Sequence, residues 1–297
     1  MPITFRNYDN AVNFAGDYTA VRDFLLRQER SDFSYGRWDW MVTHSMLDVE
    51  ALGKIGLWED EGRLVALAAF DTQPGTGYFC VDADYADLKR EVFHYAARNL
   101  GKNGHYTAMI TDGDADMQQI AADAGFVATQ HREMDAVYCE EGTPYVLPEG
   151  FAITSMADTF DLMKYEQVLY KGFNHEETEG PFSQDKADAA CAHGAMVRPN
   201  VDLNLKVAVV APSGDFVAYC GMRYDPAVDF AIVEPVATDP AYRRMGLGRA
   251  AVLEGIRRCK ALGAERAFVG SSQQFYYSIG FRPVQTATGW RRADAMD

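Results

Sequence analysis

At 297 residues the chain is long for one small domain and suits two of about 150 residues each. Its 43 acidic residues against 28 basic ones leave a formal charge of −15. That balance argues against nucleic acid as a partner, because such binding draws on phosphate neutralisation, and it favours small cations such as amines. Hydrophobic residues make up 48% of the sequence, yet no apolar run reaches the roughly 20 residues that cross a bilayer, which argues against a membrane partner.

The N-terminus, Met1 to Asn7, lacks a basic stretch followed by an apolar one, so no secretory signal is expected. Five cysteines (80, 139, 191, 220 and 259) are scattered without a C-x-x-C pair and read as reduced residues of a cytoplasmic protein. In chain order, apolar alternation predicts strands at Ile55 to Trp58, Leu64 to Phe70 and Gly77 to Val81. A helix follows over Ala86 to Leu100, then a strand at Tyr106 to Ile110, a helix at Ala115 to Ala124 and a strand from Phe126. A stretch with Gly142, Pro144, Pro148 and Gly150 breaks the pattern. Beyond it strands are expected at Lys206 to Val210, Phe216 to Arg223 and Phe230 to Ala237, a helix at Gly246 to Leu262, a strand at Ala267 to Val269, a short helix at Gln273 to Ile279 and a strand from Phe281.

The two series have the same order. A shift of 155 residues lays Val81 on Val236, Asp84 on Asp239, Gln118 on Gln273, and Gly125-Phe126 on Gly280-Phe281. This reads as a tandem duplication, with domains at 1–140 and 150–297 joined by a linker at 141–149. The copies differ where it matters. The second carries Arg243-Arg244-Met245-Gly246-Leu247-Gly248-Arg249 at a helix start; the first has Leu88, Glu91 and Phe93 opposite Arg243, Gly246 and Gly248. A glycine turn opening a helix offers free N–H groups at the positive end of the dipole, which is a phosphate site. Glutamate and phenylalanine there would repel or displace an anion, so the first half is expected to bind none.

Arg243-x-x-Gly246-x-Gly248, preceded by Glu234-Pro235-Val236 and followed by Phe275-Tyr276-Tyr277-Ser278-Ile279-Gly280-Phe281, resembles the GCN5-related N-acetyltransferase (GNAT) superfamily. The resemblance is good over the last half of the chain and weak over the first. It implies an α+β fold of two tandem GNAT-like domains, each with a mixed, mostly antiparallel sheet flanked by helices. It also implies a C-terminal domain that binds acetyl-CoA as cosubstrate and passes the acetyl group directly to a primary amine of a small molecule.

By that resemblance Arg243, Arg244, Met245, Gly246, Leu247, Gly248 and Arg249 cradle the diphosphate, and Val236 and Ala237 meet the pantetheine arm and thioester. Glu234 is the candidate base, with a structural carboxylate as the competing role, and Tyr276 is the acid for the departing thiolate. Tyr277 is the neighbouring alternative, since consecutive helical residues point about 100° apart. Many members carry an asparagine after the penultimate strand; this chain has Gly270-Ser271-Ser272, and Ser271 is the candidate replacement.

The segment Lys171 to Gly194 falls where the family places its variable substrate helices. No metal is expected, since no two histidines, His175 and His193 included, have i,i+4 spacing. A non-catalytic acyl-CoA sensor and an interaction scaffold remain the rival classes, and a dimer surface is among the roles open to the first half.

Overall fold

The computed structural model describes residues 3–9, 14–44, 46–191 and 195–293. Its contacts divide the chain into two compact units: Met1–Ala136 with Gly270–Ser272 and Pro283–Asp297, and Val137–Val269 with Gln273–Arg282.

The first unit begins with strand β1 (Thr4–Asn7) and helices α1 (Asp17–Gln28) and α2 (Tyr35–Met41). Ser34 caps α2 by accepting from Arg37 N–H at 3.2 Å. A buried ion pair, Arg22 to Asp39 at 3.0 Å, joins the two helices. Then come β2 (Gly56–Asp60), β3 (Arg63–Asp71), β4 (Gln73–Val81), α3 (Lys89–Asn99), β5 (Thr107–Thr111), α4 (Ala115–Asp123) and β6 (Phe126–Tyr138). The helix expected from Ala86 opens instead as a 3-10 turn, Ala83–Leu88, before α3. Asp82 directs this turn by accepting from Asp84 N–H.

The second unit holds β7 (Ala152–Ser155), α5 (Leu162–Gly172), α6 (His175–Glu179), α7 (Gln184–Cys191), β8 (Lys206–Val210), β9 (Phe216–Tyr224), β10 (Phe230–Thr238), α8 (Leu247–Ala261), β11 (Arg266–Val269) and α9 (Gln274–Ser278). Its strand order is β11-β10-β9-β8-β7. Only β10 and β11 run parallel; the other pairs are antiparallel. Both faces of β9 are covered, and eight of its nine residues are buried. On one face Gly255 lets α8 approach closely: a Cβ there would stand 2.7 Å from Met222 Cγ. On the other, Tyr165 of α5 sits edge-on to Tyr219 of β9 with centroids 5.0 Å apart, a pairing worth about 1 kcal/mol beyond burial.

The last strand, β12 (Arg282–Arg292), returns to the first unit. It runs antiparallel to β5, with Ala287 opposite Thr111 and Trp290 opposite Ala108. Thr129 on β6 donates to Gly289 O at 2.7 Å. The order in this unit is therefore β1-β2-β3-β4-β5-β12-β6. The sequence division at 141–149 gives residues 283–293 to the second domain, whereas their contacts lie with the first. Alternation of apolar residues marks a strand but carries no information on which sheet receives it. Within the expected linker, Tyr145 donates to Glu254 on α8 at 2.9 Å and Pro144 O accepts from Arg249 at 3.4 Å. Among the described residues no helix is long and apolar enough to cross a membrane.

Candidate active site

Strand β10 carries the site because it loses its neighbours in mid-course. It pairs with β11 only through Phe230, Ala231 and Ile232. Against β9 its register shifts between Val233 and Val236. Glu234 and Pro235 lie in that irregularity, where proline's missing N–H removes no ladder bond. Gly221 on β9 faces it, and a Cβ there would come within 2.5 Å of Glu234 O. The chain beyond Val233 thus leaves β11 and opens a cleft.

The cleft has a volume of about 740 Å³. Its lining includes Val236, Ala237, Arg243, Arg244, Gly246, Leu247, Gly248, Arg249 and Tyr276. Other contributors, to which sequence reasoning gave no individual role, include Gly172, Phe173 and Asn174 at the end of α5, Thr238, and Phe275 of the C-terminal motif. Motif spacing marks one strand, one turn and one helix; the α5 residues are brought in by tertiary packing alone. Glu234 is half-buried and does not line the cleft, but its charge is felt at the Tyr276 hydroxyl. Met245 is 40% exposed and points elsewhere. Ser271 does not line the cleft and groups with the first unit.

Helix α8 opens into this cleft without a side-chain cap. Its N-cap, Gly246, sits in the left-handed region at φ 81°, and Arg244 two residues earlier at φ 63°. Ala250 N–H, bonded to Gly246 O at 3.0 Å, is the first amide of the helix to find a backbone partner. The N–H groups just before it are the orphan donors of a helix start and form the positive end of its dipole. The two glycines serve different ends. Nothing lies within 4 Å of a Cβ built on Gly246, so its need is conformational. A Cβ on Gly248 would stand 2.7 Å from Thr238 Oγ1 and 3.5 Å from the Phe275 ring, so its need is space.

Tyr276 begins the far wall. It is buried, packed edge-on to Phe275 at 5.0 Å and to Phe281 at 5.5 Å. Burial first, then the neighbouring Cys220 and Glu234, push its phenol above the usual range. It is therefore a protonated donor at any physiological pH. Tyr277 does not line the cleft. One further acid bears on the region: Glu166 of α5, whose carboxyl burial pushes up to about 7. Its charge acts on the hydroxyl of Tyr219, which is fully buried and has no hydrogen-bond partner.

The first unit shows the same strand divergence with a different filling. There β4 pairs with β5 only at Thr76 and Gly77. Two cavities of about 20 and 40 Å³ remain, both lined by Arg30. Arg30 Nε bonds Asp32 at 2.8 Å, and Asp32 accepts from Thr111 at 3.1 Å. Glu91, opposite Gly246, accepts from Trp58 Nε1 at 2.8 Å, and Phe93, opposite Gly248, packs on Phe126 at 5.1 Å.

In the segment after Lys171, His175 Nδ1 lies 2.9 Å from Glu179 Oε1; His193 lies outside the described residues. Among the described residues no group of three or more His, Cys, Asp or Glu side chains converges as a metal site would.

Residues 170–281 match the model of the acetyltransferase (GNAT) family. A search of curated proteins gives no significant match. Among solved structures, the fold is similar to a GCN5-related N-acetyltransferase from Sphaerobacter thermophilus, at 13% identity and TM-score 0.60, covering 97% of this chain and 95% of that one. It is also similar to a tandem GNAT protein from the clavulanic acid biosynthesis pathway, at 12% identity and TM-score 0.62, covering 98% of each chain. A GNAT-family acetyltransferase from Colwellia psychrerythraea gives 11% identity and TM-score 0.58, covering 97% and 99%. The family match thus takes in β10, the uncapped start of α8 and Tyr276, and the likeness in fold to GNAT structures, one of them a tandem protein, covers nearly the whole chain.

Proposed function

We propose that the second unit transfers an acetyl group from acetyl-CoA to a primary amine of a small molecule. The observation that carries this reading is the uncapped start of α8 opening on the same cleft as a buried, protonated tyrosine. The residues fit the coenzyme: orphan N–H groups of 247–249 and the side chains of Arg244 and Arg249 suit a diphosphate, and the irregular stretch of β10 suits a pantetheine arm. Acetyl-CoA supplies an already activated acyl group, so positioning and proton handling are what the protein must add.

An alkylamine with a pKa near 10.4 is almost wholly protonated at pH 7, and freeing its lone pair costs about 4–5 kcal/mol. Glu234, at the opening of β10, is the residue we assign to take that proton, through water because it does not itself line the cleft. The N–H of Val236 or Ala237 would polarise the thioester carbonyl. The C–N bond forms as the C–S bond breaks; Tyr276 gives its phenolic proton to the departing sulfur, and the second proton shed by the nitrogen as it becomes an amide restores the phenol through water. The protein's net charge of −15 favours a cationic acceptor.

The test is release of free thiol from acetyl-CoA against a panel of primary amines. A rate that depends linearly on one acceptor, and falls by about 10²-fold or more in Tyr276→Phe, supports the reading; no release with any amine, and no acetyl-CoA binding by calorimetry, would overturn it.

A further inference from the structure

Arg243 heads the glycine motif and lines the cleft, yet its guanidinium is engaged by three protein groups. Nε donates to Thr238 O at 3.2 Å, and Nη2 donates to Gly172 O at 2.9 Å and to Asn174 Oδ1 at 3.0 Å. Gly172 is the last residue of α5, so the arginine satisfies a carbonyl that the helix cannot. It also brings a positive charge to the negative end of that helix.

Three other features fasten the same two segments together. Lys171 Nζ lies 3.3 Å from Asp239 Oδ2, just beyond β10. Gly172 has no Cβ, and one built there would stand 2.6 Å from Ala237 Cβ and 2.9 Å from Thr238 N. Asn174 adopts φ 62°, which turns the chain sharply into α6 and directs its side chain at the arginine. Phe173 and Asn174 line the cleft, and the polypeptide then continues through α6 and α7.

On the reading that the cleft takes acetyl-CoA, we infer that Arg243 is a positioning residue. It couples the loop at 244–249, which meets the diphosphate, to the α5–α6 turn that walls the cleft. The diphosphate's charge is then met by the N–H groups of 247–249 and by Arg244 and Arg249. Occupying the loop fixes residues 171–179, and with them the path that the chain takes into α6 and α7. A phosphate-binding arginine and a coupling arginine differ in what they do to affinity and in what they do to the α5–α6 turn, so the two roles separate experimentally.

The probe is coenzyme A itself, which requires no knowledge of the acceptor. Amide hydrogen exchange is followed with and without coenzyme A in the unaltered protein, in Arg243→Ala, in Arg243→Lys and in Asn174→Ala, with dissociation constants from calorimetry. Coenzyme A is expected to protect both 244–250 and 171–179 in the unaltered protein. In Arg243→Ala it should still bind, within about threefold of the original constant, as removing exposed polar contacts permits. Protection should survive at 244–250 and be lost at 171–179.

Arg243→Lys keeps the charge but not the forked set of donors, so it should behave as the alanine variant does. Asn174→Ala should lose part of the coupling. The inference is overturned if Arg243→Ala weakens binding by about tenfold or more while lysine restores it, because that is a phosphate ligand. It is also overturned if 171–179 remain protected in the alanine variant. Failure of the unaltered protein to bind coenzyme A at all would instead sink the proposed function.

Discussion

Gly248 lies beneath the hydroxyl of Thr238, so near that a methyl group on it would stand 2.7 Å from Oγ1. The start of α8 and the end of β10 are in contact through the one residue type that leaves room. Gly248→Ala should therefore weaken coenzyme binding by about tenfold, by displacing the turn rather than by touching the ligand. Adding Thr238→Ala removes the clashing oxygen and should recover most of the loss. Calorimetry on both singles and the double variant checks the cycle; independent, additive effects would show that the clash is not the cause.

Gly246→Ala provides the contrast. Open space surrounds that position, but its φ of 81° is one that alanine adopts at a cost of about 1 kcal/mol. A fall in melting temperature of a few degrees is expected, and it should not be relieved by Thr238→Ala.

Tyr276→Phe should leave coenzyme affinity unchanged and lower kcat by about 10²-fold or more. Because burial and its neighbours hold the phenol above its ordinary range, no loss of rate on the alkaline side should be assignable to it below about pH 10. An alkaline limb near pH 8 that disappears in Tyr276→Phe would contradict this placement.

Two carboxyls give opposite slopes of stability with pH. Burial would raise Glu254, but hydrogen bonds from Arg257, Arg258 and Tyr145 outweigh it and hold the carboxyl down to about 2. Its contribution is complete above the ordinary carboxylate pKa near 4.5 and fades as the pH falls from there towards 2. Glu254→Gln should cost about 1–2 kcal/mol at pH 7, allowing for the exposed arginines, and little near pH 2. Glu166, pushed up to about 7 by burial, acts the other way. Its folded form holds the proton more tightly than its unfolded form, so stability falls as pH rises from about 4.5 to 7. Glu166→Gln should match the unaltered protein near pH 4 and exceed it at pH 8. Denaturant titrations at the two pH values read both effects.

Much of the fold was legible because each element carries its own period: the strands Leu64 to Phe70 and Phe216 to Arg223 fall inside β3 and β9 with little change of boundary. The cleft residues on β10 and α8 were legible through the glycine motif, whose chemistry needs adjacent residues. What stayed hidden depends on distant packing. Gly172 and Asn174 join the cleft only because α5 docks on Ala237 and Arg243. Glu166 gives no sign in sequence that its carboxyl is buried. The partners of Arg243 were hidden for the same reason: its place in the motif says cation near phosphate, and nothing in the spacing says that its guanidinium also bonds Gly172 and Asn174, some seventy residues upstream.

Strand β12 has a consequence of a different kind. It lies between β5 and β6, yet it is the last strand among the described residues. During synthesis the ribosome releases residues 1–136 long before the piece that completes their sheet has been made. Until residues 282–292 emerge, β5 presents a bare edge, of the sort that invites pairing with other nascent chains. Quality control by chaperones, and any stop codon that falls before residue 282, would thus bear first on the unit built from residues 1–136.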